Sequence, residues 1–135
     1  MLFRSVNRRV INGYRSRTGQ SKVSFTHLIG YAVVRAMVDA VPNMKNVFVA
    51  DADGKPQLQR HTNVNIGLAV DVAGKDGARS LKVPSIKKSE QMTFAQFLAA
   101  YDGIVARART NKLTVDDFMG TTISLTNPGT VGTVG

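Results

Sequence analysis

The chain has 135 residues, 43% of them hydrophobic, enough for about one domain with an ordinary core. Eighteen Lys and Arg against nine Asp and Glu leave a net charge of +9, with no cysteine and no tryptophan. A disulfide scaffold, a thiolate zinc site and a cysteine nucleophile are thereby excluded. No apolar run approaches the ~18 residues of a membrane span, no signal peptide opens the chain, and no short period or biased tract appears. The expectation is a cytoplasmic, mixed α/β chain.

In chain order, Val6, Val10, Ile11 and Tyr14 have helical spacing, broken by Gly19. The strongest stripe follows: Phe25, Leu28, Ile29, Ala32, Val33, Ala36 and Met37 predict an amphipathic helix, with Ser24 as N-cap and Pro42-Asn43 as its stop. His27 lies one residue off that stripe and is expected at an exposed or edge position. Asn46–Ala50 and Pro56–Gln59 flank Asp51-Ala52-Asp53-Gly54 and predict a hairpin. Val64, Ile66, Leu68, Val70 and Val72 alternate with polar or small residues, as in a strand with one buried face. The Gly74–Gly77 turn leads to a second strand over Ser80–Ile86, interrupted by Pro84. Thr93 and Gln96 make a capping box before a helix striped with Phe94, Phe97, Leu98, Tyr101, Ile104, Val105 and Ala108. Thr114 and Asp117 repeat that signature over one turn, and a β-rich run, Thr121–Thr126, precedes a Gly/Thr tail. Four or five strands with an unpaired edge, and a chain stopping inside a loop, predict a domain incomplete at its C-terminus.

The charge is polarised. Arg4, Arg8, Arg9, Arg15, Arg17, Lys22 and Arg35 all precede or accompany the second helix, with no acid before Asp39. Such a segment attracts polyanions: nucleic acid, an anionic membrane surface or a phosphorylated cofactor. Nucleic acid is the weakest of these, since only Phe3 and Tyr14 could supply stacking and no DNA- or RNA-reading motif follows.

Generic chemistry names no catalytic site. Gly129, Gly132 and Gly135 match neither the dinucleotide fingerprint nor a P-loop. Asp116-Asp117 suit a helix start, and Asp51 and Asp53 suit a turn. His61 has no Ser or Asp placed to make a triad. No metal site is expected.

Six segments together resemble a known family: Lys22-Val-Ser-Phe-Thr-His-Leu-Ile-Gly-Tyr-Ala, Pro42-Asn-Met-Lys, Val64-Asn-Ile-Gly-Leu-Ala-Val-Asp, Lys82-Val-Pro-Ser-Ile-Lys-Lys, Lys112-Leu-Thr-Val-Asp-Asp-Phe-Met-Gly and Thr122-Ile-Ser-Leu-Thr-Asn-Pro-Gly. In this order they resemble the catalytic domain of the dihydrolipoamide acyltransferases of 2-oxo acid dehydrogenase complexes. Their wording is closest to the acyltransferase-like domain of actinobacterial multifunctional 2-oxoglutarate dehydrogenase/decarboxylase. The match spans nearly the whole chain, residues 1–135, but only the first half to two-thirds of the family's domain.

The resemblance implies an α/β fold like chloramphenicol acetyltransferase, a two-layer mixed sheet with helices on one face, assembled as a homotrimer with the site between subunits. It implies transfer of an acyl group, succinyl for this branch, between a dihydrolipoyl thioester and coenzyme A. Lipoyl-bearing, dihydrolipoamide dehydrogenase and decarboxylase partners are implied too, with thiamine diphosphate and magnesium in a downstream region. Carried over by position, Thr126 before Asn127 matches the hydroxyl that stabilises the oxyanion, with Asn127 supporting the turn. Arg9 falls where the family contacts a coenzyme A phosphate. The family's general-base histidine lies in His-x-x-x-Asp-Gly. His27 is followed by Leu-Ile-Gly-Tyr and His61 by Thr-Asn-Val-Asn, so neither fits, and this chain alone is expected to be nearly inert. A trimerisation and docking scaffold without catalysis, and a basic nucleic-acid-binding module, are the alternatives.

Overall fold

The computed structural model describes residues 2–73 and 77–126, with side chains from Ser5 onward. Three helices form where the apolar spacing places them: α1 (Leu2–Arg17), α2 (Phe25–Asp39) and α3 (Phe94–Arg109). The α2 start is fixed by Ser24, whose Oγ accepts the His27 N–H at 3.3 Å while its own N–H donates to His27 Nδ1 at 3.1 Å. This is a capping box with histidine in the place usually held by Glu or Gln. The α3 start has the ordinary form: Thr93 Oγ1 accepts from Gln96 N, and Thr93 N donates to Gln96 Oε1. Pro42 does not simply stop α2; it opens a 3-10 turn over Pro42–Lys45, where its missing N–H costs nothing. One amide of α1 clasps the segment before α2 through two hydrogen bonds. Asn12 Nδ2 donates to Val23 O at 2.9 Å, and Asn12 Oδ1 accepts from Val23 N at 2.7 Å.

Strands β1 (Val47–Ala50) and β2 (Pro56–Gln59) form the expected hairpin. Asp51 closes its turn, Oδ1 accepting from Asp53 N and Lys55 N and Oδ2 from Gln57 Nε2, while Gly54 takes φ 77°. These bonds, that from Lys55 N foremost, hold the Asp51 carboxyl below its usual range.

The single strands expected over Val64–Val72 and Ser80–Ile86 are each broken in two. The first gives β3 (Ile66–Leu68) and β4 (Val70–Ala73), the second β5 (Arg79–Lys82) and β6 (Ser85–Ile86). β4 pairs antiparallel with β5, whereas β3 sits between antiparallel β6 and parallel β7 (Ile123–Leu125). Pro84 has no N–H for a ladder, which breaks the second strand; in the first, the Ala69 N–H donates to Leu125 O at 3.1 Å as the last bond of the β3–β7 ladder, after which β4 pairs with β5 instead. The turn expected at Gly74–Gly77 lies mostly outside the described residues.

Ile66, Ile86 and Ile123 share one row of the three-stranded sheet, followed by Leu68 and Leu125. Against them pack Val34 and Met37 of α2 and Phe97, Ile104 and Ala108 of α3, so the two helices lie on the same side of the mixed sheet, as expected. The opposite row is Gly67, Ser85 and Ser124. A Cβ at Gly67 would stand 2.9 Å from Thr121 Cγ2, 3.0 Å from Ser124 Oγ and 3.2 Å from Val83 Cγ1.

The predicted α2 stripe is divided between two sides. Met37 enters the core with His27, Gly30 and Val34, and Val33 packs against it, while Phe25, Ile29, Ala32 and Ala36 remain exposed along a groove shared with α1. At 100° per residue the two sets lie on opposite sides of α2. The helix is apolar on both faces, and the larger stripe is not the buried one.

Phe97 is fully buried, so Phe97→Ala should lower the unfolding free energy by about 3–5 kcal/mol. Gly67→Ala should lower it by about 1–3 kcal/mol through overpacking. Phe48→Ala, at a side chain 71% exposed, should change it little. Chemical denaturation of the three variants measures the order.

Candidate functional site

Thr126 directly follows β7 and is exposed. Its position is set by what holds β7 against β3. Asn65, just before β3, ties three segments together. Its N–H donates to Thr122 Oγ1 and its O accepts from Thr122 N, both at 2.9 Å. Its side chain donates from Nδ2 to Gly120 O at 2.7 Å and accepts at Oδ1 from Lys88 N at 2.8 Å. At the other end of the strand, Leu125 O takes the Ala69 N–H. The residue before the exposed hydroxyl is thus anchored by backbone bonds, which suits a preorganised donor. Asn127, Pro128 and the Gly129–Gly135 run lie outside the described residues. Sequence reasoning missed Asn65. The only available signal was an Asn at the head of an alternating run, where it reads as an ordinary outward polar residue.

Arg9 is exposed on α1, a helix with five arginines and no acid. Its neighbour Arg8 lays its guanidinium 4.3 Å from the centre of the Phe25 ring, and Arg15 Nε donates to Ser21 O at 2.7 Å. Gly30 of α2 packs against Leu125 and Phe97, while Phe25 of α2 lines a groove shared with α1.

His27 is not at an exposed edge; it is 6% exposed. Its spacing places it on the core side of α2, and α3 covers it. The ring meets Tyr101 edge-on at 4.3 Å, and Nε2 lies 3.4 Å from Asp102 Oδ1, while Asp102 Oδ2 accepts from Ser21 Oγ at 3.3 Å. Nδ1 accepts from a backbone N–H, so Nε2 carries the proton and faces the carboxylate. Burial is the largest influence and lowers the His27 pKa below 6.5; Asp102 opposes this and Arg15 adds to it. With both nitrogens engaged, the ring has neither the exposure nor a free lone pair for general-base work. His61 is half-buried beyond β2.

Asp117 acts as a cap, as expected. Its Oδ2 accepts from Thr114 N at 2.9 Å and its Oδ1 from Arg107 Nη2 at 2.7 Å, and the backbone bond is the main cause of its lowered pKa. Among the described residues no group of three or more His, Cys, Asp and Glu could hold a metal ion, and no helix is long and apolar enough to cross a membrane.

The model of the family described as 2-oxoacid dehydrogenases acyltransferase (catalytic domain) matches residues 5–135, which bears out the resemblance carried by the six segments. A multifunctional 2-oxoglutarate metabolism enzyme of Mycobacterium sp. (strain JLS) is 58% identical over 128 residues, 95% of this chain and 10% of that protein. An enzyme of the same name from Mycolicibacterium vanbaalenii is also 58% identical over 128 residues. The chain spans about a tenth of the length of these curated relatives. Among solved structures, a dihydrolipoamide acetyltransferase of Azotobacter vinelandii shares the fold with TM-score 0.73 and 24% identity, over 96% of this chain and 49% of that one. A truncated catalytic core of the 2-oxoacid dehydrogenase multienzyme complex of Thermoplasma acidophilum matches with TM-score 0.66 and 27% identity, over 91% of this chain and 52% of that one.

The buried histidine makes the fold acid-sensitive. Its folded pKa lies below the unfolded value, so the unfolded chain binds more protons between the two, and stability present above about pH 6.5 is lost as pH falls. Protonation at Nδ1 also removes the acceptor of the Ser24 N–H. The thermal midpoint should drop between about pH 7 and pH 5, and His27→Gln, which keeps a capping box without a titrating group, should flatten that drop. Calorimetric scans across pH measure both.

Proposed function

The chain belongs to the 2-oxoacid dehydrogenase acyltransferase (catalytic domain) family, and from that membership we propose that it forms part of a site moving a succinyl group between a dihydrolipoyl thioester and coenzyme A. The observation that carries the acyl group is the 58% identity to enzymes named for 2-oxoglutarate metabolism.

The Thr126 hydroxyl donates to the oxyanion that forms when the thiol attacks the thioester carbonyl. Its anchored strand end supports this, because a donor already in place needs no reorganisation as charge develops. Asn127 supports the turn. The general base comes from outside these 135 residues: His27 is committed to its cap and to Asp102, and neither histidine stands in the family's His-x-x-x-Asp-Gly pattern. Arg9 offers its guanidinium to a coenzyme A phosphate, helped by the surplus charge of α1. In a homotrimer with its site between subunits, Arg9 and Thr126 need not come from the same copy. The lipoyl group arrives on a separate domain or protein, with dihydrolipoamide dehydrogenase and decarboxylase components as partners. Thiamine diphosphate and magnesium belong to the decarboxylase part.

A trimerisation and docking scaffold without catalysis is the second reading. Calorimetry separates the two. The 135-residue chain should bind coenzyme A, with Arg9→Ala weakening it about tenfold, and should show no acyl transfer alone. In an assembly that supplies the histidine, Thr126→Val should lower kcat about 10²–10³-fold with little change in KM. Unimpaired kcat in Thr126→Val would remove the residue from catalysis. A folded chain that ignores coenzyme A would leave the scaffold reading in front.

A further inference from the structure

The strand that ends at Thr126 is short, and its apolar pattern does not fix where it stops. β7 gives Ile123 and Leu125 to the core side of the sheet, beside Ile66 and Leu68. Isoleucine and leucine are close in size, so a slip of two residues would keep an apolar side chain in the row and leave the faces unchanged. Such a slip carries whatever follows β7 along by roughly 7 Å. A hydroxyl that must meet a developing charge tolerates far less, since an error of about 1 Å costs on the order of 10²-fold in rate.

Asn65 supplies the missing constraint. Its half-buried carboxamide joins two left-handed turns, Lys88 (φ 49°) after β6 and Gly120 (φ 66°) before β7. Oδ1 accepts the Lys88 N–H at 2.8 Å, and Nδ2 donates to Gly120 O at 2.7 Å. Lys88 holds a backbone conformation that residues with a Cβ rarely adopt, so its turn persists because its surroundings hold it. The group between these turns must accept on one side and donate on the other. Aspartate lacks the donor, leucine lacks both, and glutamine is one methylene longer. The backbone of Asn65 bonds Thr122 at the head of β7, and Lys87 Nζ donates to Met119 O beside the same turn. We propose that Asn65 is a positioning residue for acyl transfer: its side chain fixes the register of β7 from the strand's head and so places the Thr126 hydroxyl at its end. This rests on the reading of Thr126 as the oxyanion donor.

The test pairs amide exchange with kinetics. In the 135-residue chain, Asn65→Ala should speed hydrogen exchange of the Ala69 N–H, the bond to Leu125 O at the far end of β7, at least about tenfold more than that of Ile104 in α3. In an assembly that supplies the histidine, Asn65→Ala should lower kcat at least about tenfold, with KM within about twofold. Asn65→Asp, which keeps the Lys88 acceptor and loses the Gly120 donor, should do the same, and it decides alone if Asn65→Ala fails to fold. Combined with Thr126→Val, neither variant should lower kcat further, because the hydroxyl that Asn65 positions is gone. Normal kcat in the Asn65 variants beside an impaired Thr126→Val overturns the positioning role and leaves the oxyanion reading standing. Normal kcat in Thr126→Val removes the oxyanion reading and the proposal with it. Losses that multiply in the double variant, or exchange that rises equally at Ala69 and Ile104, show a merely structural Asn65 and overturn the proposal as well.

Discussion

The parallel pairing of Ile66–Leu68 with Ile123–Leu125 is the constraint from which the rest of the molecule follows. It joins segments more than fifty residues apart, so everything between them must be looped out and returned. The β4–β5 pair, β6 and α3 are that loop, and α3 covers the sheet because a crossover between parallel strands has to pass over one face. The same pairing sets the end of β7, and with it the place where Thr126 emerges. Its strength comes from both sides: isoleucine and leucine rows packed on Phe97 and Met37, and the Asn65 network that locks the strand entry.

The three helices, two cap boxes and the hairpin were legible because each is a local matter of spacing and hydrogen-bond chemistry. Ser24 and Thr93 cap wherever their helices go, and Asp51 closes its turn without help from the core. The breaks at Ala69 and Pro84 were half legible. Proline announces one, but at the other the chain changes its pairing partner from β7 to β5, which no local pattern records. Periodicity found the correct helix at α2 but not its inside, because apolar residues occupy both faces. Hydrophobicity alone does not say which face meets the sheet; small Gly30 and buried His27 do, since close approach there excludes larger side chains.

The candidate site was legible only through resemblance. Thr126 before Asn127 is unremarkable to generic chemistry, and its value lies in a strand end whose anchors, Asn65 and Ala69, sit far back in the chain. Arg9 shows the reverse. Its charge is conspicuous, yet nothing local to α1 says what that charge meets.

The amide clasp between Asn12 and Val23 has a dynamic consequence. None of the described side chains of α1 is buried, so little apolar surface is released if the helix lifts away, whereas Val23 at its anchor is 1% exposed. The Asn12 clasp, the Arg8–Phe25 stacking and the Arg15–Ser21 bond thus hold α1 with little burial. A helix that buries so little costs less free energy to open than the sheet does, so its backbone amides should exchange with solvent ahead of those in α3 and β3. A groove with one wall on such a helix is adjustable in width, and whatever fills it also raises the protection of α1.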